Sequence, residues 1–112
     1  MKYKVILVPF PFDDFTGVKM RPAVCLTNSI GAYRHVVIAF ITSQVAKANE
    51  PTDVLLTEID ANFRDTGLKV SSAVRLHRLV TIPTRVIKRQ LGKIPTDHQR
   101  EIEQKIKKLF EL

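Results

Sequence analysis

Arg21 and Pro22 stand directly before a short apolar run in MRPAVCLTN, residues 20–28. A guanidinium is always charged, and its fork of N–H donors matches the oxygens of a phosphate. A charge at the entrance of a β-strand is therefore a candidate anion clamp, against the plainer reading of a solvated loop residue. A second group lies in SSAVRLHRLVTI, residues 71–82. Side chains alternate along a strand, so Arg75 and His77 share one face, roughly 7 Å apart at their Cα atoms. Ala73, Leu79 and Thr81 fall with them, while Val74, Leu76, Val80 and Ile82 point the other way. Arg78 falls on that second face and implies that it is not fully buried. An arginine beside an imidazole can hold a phosphate and exchange a proton with it near neutral pH. Taken alone, Arg75 and His77 read rather as solvated residues of an exposed sheet face, and Arg21 alone as a solvated loop residue. Thr42, at the end of an apolar run, is likewise a common strand-end residue.

The composition suits such chemistry. Eighteen Lys and Arg against eleven Asp and Glu give a net charge of +7 over 112 residues. That excess favours a polyanionic partner: nucleic acid first, an acidic protein segment second, an anionic membrane third. A basic surface kept for solubility is the alternative. The length predicts one domain over residues 1–112 with a real hydrophobic core. The lone cysteine, Cys25, sits in an apolar run and reads as buried filler. Three scattered histidines make no zinc-type spacing, so no metal or cofactor is expected. Neither a phosphate-cradling glycine loop nor HExxH nor GxSxG is present, which argues against nucleotide-fuelled or zinc-dependent catalysis. The apolar N-terminal stretch is too short, and too broken by proline, for a signal peptide, which points to the cytoplasm.

The elements that must carry these residues are short and mostly extended. Residues 4–10 (KVILVPF) read as a buried strand ended by Pro9 and Pro11. Residues 12–20 read as a long exposed loop, 22–27 as a second strand, and 28–31 as a turn. The most apolar run, 35–41, is expected at the centre of the sheet. A short strand at 54–57 leads into one helical turn through residue 63, closed by Gly67. Strands at 73–82 and 86–94 follow. Then Thr96 as cap, Asp97 at the positive end of the dipole and Gln99 at the capping-box position announce a helix. Ile102, Ile106, Leu109 and Phe110 form its apolar stripe, and Lys105, Lys107 and Lys108 suit its last turn. The expectation is a mainly β (α+β) fold, a small barrel of about six strands with a C-terminal amphipathic helix packed on it.

Taken together, VPFPFDDFTGVKMRPAVCLTN, AFITSQ and SSAVRLHRLVTI resemble the PemK/MazF family of toxins from type II toxin–antitoxin systems. The likeness rests on Arg21-Pro22 opening the second strand and Thr42-Ser43 ending the third, and it runs from about residue 5 to the C-terminal helix. The resemblance implies an SH3-like barrel, a homodimer, and metal-independent endoribonuclease action on single-stranded RNA at short sequence motifs. It also implies a cognate antitoxin whose acidic, flexible tail occupies the RNA groove.

Metal-free cleavage uses the substrate's 2′-hydroxyl as nucleophile. The protein must take its proton, stabilise the phosphorane and protonate the leaving 5′ oxygen. In the family pattern Arg21 serves the phosphate and Thr42 donates a hydrogen bond to it. His77 stands where family members often carry an aspartate, two residues after an arginine matching Arg75. An imidazole there serves as acid or base, or marks a drifted, weaker site. The loop over residues 13–20 would flank the groove, with Phe15 stacking on a base and Lys19 meeting a phosphate, or would be an ordinary surface loop. Gln44 is a candidate for reading a base edge. Two other functions stay open: a non-catalytic toxin of the same fold gripping a protein such as gyrase, and a plain RNA-binding barrel. A membrane role is distant, because the helix needs its apolar stripe to cover the barrel.

Overall fold

A computed structural model describes the chain at residues 1–10 and 19–112. Six strands, β1 (Lys4–Phe10), β2 (Lys19–Cys25), β3 (His35–Thr42), β4 (Asp53–Leu56), β5 (Ser72–Pro83) and β6 (Arg89–Lys93), precede one helix, α1 (Thr96–Leu109). They form one antiparallel sheet in the order β4-β5-β3-β2-β1-β6. The sheet curls into an SH3-like half-barrel, and α1 packs on β4 and β5. The expected fold class holds.

Why are these strands apolar on both sides? The curl gives each central strand two interiors. Val5, Val24, Ala39, Ile41, Val54, Leu56, Val74 and Leu76 form one core, sealed by Ile94 and by Ile102 of α1. Ile6, Val8, Ala23, Cys25, Val36, Ile38 and Phe40 form a second, flanked by Phe10, Val80, Ile82 and Ile87. Strand parity sends Val5 to one core and Ile6 to the other, so KVILVPF is nearly continuous in apolar side chains. Ile102 is fully buried, and burying such a side chain stabilises by about 1.5–3 kcal/mol.

Several boundaries differ from those the sequence suggests. β2 begins at Lys19, not residue 22, so Arg21 lies inside the strand opposite Val8 rather than at its entrance. Pairing with β1 supplies the backbone partners that draw these residues into the sheet. The helical turn forms at Phe63–Thr66, later than expected, and Gly67 closes it with φ +72°. That glycine is required, since a Cβ there would sit 1.9 Å from the Leu91 carbonyl oxygen. Residues 84–86 form a 3-10 turn, which shortens β6 to Arg89–Lys93.

Thr96 does not cap α1. It is already helical after Pro95, and no side chain caps the terminus. Gln99 instead donates its Nε2 to the Ile94 carbonyl at 2.8 Å. Phe110 leaves the stripe and is 55% exposed. Lys105 turns back to β4, donating to the Asp53 carbonyl and to Glu101, each at 2.7 Å.

The largest departure lies in β5. Between the pairs Ala39↔Leu79 and Ile41↔Val74 the chain advances two residues along β3 but five along β5. Such an excess bends the strand and re-aims its side chains. Val74 and Leu76 therefore join the first core while Val80 and Ile82 join the second, although simple alternation assigns all four to one face.

Candidate functional site

A cleft of about 500 Å³ is bordered by five of the six strands, β1, β2, β3, β5 and β6. Its walls come from β1 and β2 (Leu7, Phe10, Arg21, Pro22), from the end of β3 and the segment after it (Phe40 to Gln44, and Lys47), from residues 67–70 and Ser72, and from Arg75, Arg78, Arg89 and Leu91. Six of the lining residues are cations: Arg21, Lys47, Lys69, Arg75, Arg78 and Arg89. No carboxylate and no histidine stands among the described lining residues. A concave wall carrying one sign of charge concentrates anions of the other sign.

Phe10 organises part of this charge. Its ring meets Phe40 edge-on, with centroids 4.9 Å apart and an interplanar angle of 81°. The Arg21 and Arg78 guanidinium carbons lie 5.7 and 5.6 Å from the centroid of the same ring. Cation–π contact at such distances contributes about 0.5–1 kcal/mol at exposed sites. Two like charges drawn to one aromatic ring suit an anion between or above them. β1 supplies the ring because Phe10 follows the Ile6 and Val8 parity to the last position of the strand.

Of the residues singled out in the sequence, Arg21, Thr42, Gln44 and Arg75 all line this cleft. The Thr42 Oγ1 accepts the Gln44 backbone N–H at 3.1 Å. That bond orients the hydroxyl and leaves its proton for a second acceptor. Gln44 is exposed at the mouth, just ahead of the Val45–Lys47 turn. Lys19 opens β2 opposite Phe10, is exposed, and does not line the cleft. Phe15 lies outside the described residues.

His77 is not in the cleft wall. It borders a shallow depression with Phe40, Arg78 and Leu79, the first two of which also line the cleft. Arg75 and His77 do share a face, as alternation requires, and both approach Asp53: Arg75 Nε at 2.9 Å and His77 Nδ1 at 3.9 Å from its Oδ1. Arg78 is the residue that sequence reasoning put on the wrong side. Alternation sets it opposite Arg75, and only the irregular pairing of β5 brings both into one cleft. Phe10, Lys47, Lys69 and Arg89 were also missed; an aromatic residue beside two prolines at a strand end was the one available signal.

The architecture and the site together define a small antiparallel barrel with a cationic, aromatic-floored cleft. Residues 1–110 match the sequence profile of the PemK-like, MazF-like toxins of type II toxin–antitoxin systems, and the chain belongs to that family. Among solved structures, the Mycobacterium tuberculosis toxin MazF-mt6 superposes with a TM-score of 0.72 at 23% identity, over 97% of each chain. MazF from Deinococcus radiodurans gives 0.70 at 20% identity, covering 99% of this chain and 96% of its own. An endoribonuclease in complex with its cognate antitoxin, from a mycobacterial species, gives 0.66 at 16% identity, over 100% and 93%. Comparison with curated proteins returned no match. Among the described residues no helix is long and apolar enough to cross a membrane.

Proposed function

We propose that this toxin is a metal-independent endoribonuclease that cuts single-stranded RNA at short motifs through the substrate's own 2′-hydroxyl. The observation that supports this best is the convergence of Arg21, Arg75, Arg78 and the Thr42 hydroxyl on one cleft. In the reaction the 2′ oxygen bonds to phosphorus and gives up its proton. Arg21 and Arg78 neutralise the charge that develops on the phosphorane, and Thr42 donates to one of its oxygens. The bond to the 5′ oxygen then breaks and that oxygen is protonated, leaving a 2′,3′-cyclic phosphate and a 5′-hydroxyl. His77, in a depression that shares Phe40 and Arg78 with the cleft, takes the proton from the 2′ oxygen and returns it to the 5′ oxygen. Phe10 and Phe40 keep the floor apolar, and Gln44 at the mouth is offered to a base edge.

The partners follow from the same chemistry. A cationic cleft that grips RNA also fits the acidic flexible tail of an antitoxin, and similar structures include a MazE–MazF complex from Deinococcus radiodurans and the mycobacterial endoribonuclease with its cognate antitoxin. A homodimer in the cytoplasm completes the reading.

A plain RNA-binding barrel is the second reading, favoured by the lack of any histidine or carboxylate among the described cleft-lining residues. One experiment separates the two. The purified protein, free of antitoxin, is incubated in EDTA with long single-stranded RNA beside an Arg21→Ala variant. Discrete fragments with cyclic phosphate ends, from the parent only, support the nuclease. RNA that is shifted on a gel yet intact supports the binding module.

A further inference from the structure

Beneath the cationic cleft lies one buried carboxylate. Asp53 opens β4 with its side chain 3% exposed. Its Oδ1 accepts the Arg75 Nε–H at 2.9 Å and lies 3.9 Å from His77 Nδ1, while its Oδ2 accepts the Glu50 backbone N–H at 2.9 Å. Its backbone carbonyl takes Lys105 Nζ from α1 at 2.7 Å. The group is thus fixed from the sheet, from the turn before β4 and from the helix. The register makes this pairing unavoidable, because Asp53 stands directly opposite Arg75 in the β4–β5 ladder.

The bonding pattern is informative. Asp53 takes the inner edge of the guanidinium, its Nε. That leaves the two terminal nitrogens of Arg75, a cleft-lining residue 19% exposed, for a ligand. His77, two residues on, stands with its Nδ1 3.9 Å from the same oxygen, beyond hydrogen-bonding distance. We infer that Asp53 is a positioning residue, holding the Arg75 guanidinium by its Nε–H so that its terminal nitrogens serve an RNA phosphate. A lysine at position 75 would keep the charge but could not be held by an Nε–H. This inference rests on the nuclease reading above.

The test compares Asp53→Asn, Asp53→Glu, Arg75→Lys and the Asp53→Asn/Arg75→Lys double variant, each checked for folding by circular dichroism and thermal melting. Steady-state cleavage of an RNA oligonucleotide with one cleavage site gives kcat and KM separately. Misplacement of a catalytic group by about 1 Å costs on the order of 10²-fold. Asp53→Asn is therefore expected to lower kcat by about that factor, with KM changed far less. Arg75→Lys should show a similar loss, and the double variant no further loss, since the two act as one unit. Asp53→Glu should recover part of the rate. A folded Asp53→Asn protein with parental kcat overturns the inference, as do losses that multiply in the double variant. If Asp53→Asn does not fold, Arg75→Lys decides: parental kcat overturns the positioning role, and a kcat-dominated loss upholds it. A parent that cuts no RNA refutes the nuclease reading instead. The positioning role is then read from RNA affinity, where Asp53→Asn and Arg75→Lys must weaken binding equally and non-additively, or the role fails too.

Discussion

Replacing Arg78 with glutamine tests whether the bend in β5 makes this residue part of the anion site. Neutralising phosphates on a single strand releases counterions, so log K falls with log salt by about 0.7 per contact. The lining cations left on an Arg21→Ala background (Lys47, Lys69, Arg75, Arg78 and Arg89) set a ceiling of about −3.5 for that slope. Arg78→Gln removes one cation, and the slope should become shallower by about 0.7. At low salt the affinity should fall as for one charge-assisted hydrogen bond, about 1.5–3 kcal/mol, or roughly 10- to 150-fold. Folding should suffer little, because the lost contact over Phe10 is one exposed cation–π pair of about 0.5–1 kcal/mol. The assay is fluorescence anisotropy of a labelled single-stranded RNA between about 50 and 200 mM salt, on a catalytically silent Arg21→Ala background. Lys107→Gln serves as the control, since Lys107 is exposed on α1 and outside the cleft. If Arg78→Gln leaves the slope where it was, or behaves no differently from Lys107→Gln, the cleft assignment of Arg78 is wrong.

Gly67→Ala should destabilise the fold by at least about 2 kcal/mol, combining a left-handed backbone with overlap on the Leu91 carbonyl; a urea melt at parental midpoint would contradict this. Burial pushes the Cys25 thiol up to about 11, so iodoacetamide at pH 8 should leave it unmodified in the native protein and label it in urea, as read by mass spectrometry. Asp60 accepts the Thr57 N–H, which holds its carboxyl below the usual carboxylate value of 3.8, with His98 adding to the effect. A depressed folded-state pKa contributes stability that is present above that value and is lost as pH falls through the folded one. Parent and Asp60→Asn should therefore differ in urea stability at pH 5 and converge on acidification below pH 3.8. A gap that does not narrow at all as pH falls from 5 through 3.8 and below would assign the difference to something other than ionisation.

Arg21, Thr42 and Gln44 of the candidate site came from the family resemblance and Arg75 from strand alternation, whereas the sequence by itself determined the strand-rich fold and the C-terminal helix. Local signals suffice there: apolar runs bounded by turn residues mark strands, and a 3.6-residue stripe marks a helix. It also established that Arg75 and His77 share a face, because that depends only on alternation over two residues. Alternation failed from residue 78 onward. The pairing of β5 with β3 takes three more residues on one strand than on the other between Val74 and Leu79, and no local propensity encodes that excess. It arises from closing a curled sheet, where a strand must bend to pass from one core to the other. Only the tertiary structure could therefore bring Arg78 beside Arg21 over the Phe10 ring and leave His77 outside the cleft wall. The same holds for Asp53. As part of PTDVLL it reads as an ordinary acid before a short strand, and its meaning comes from a partner that lies 22 positions away in sequence. Long-range register, set by the cores, decides which charges meet.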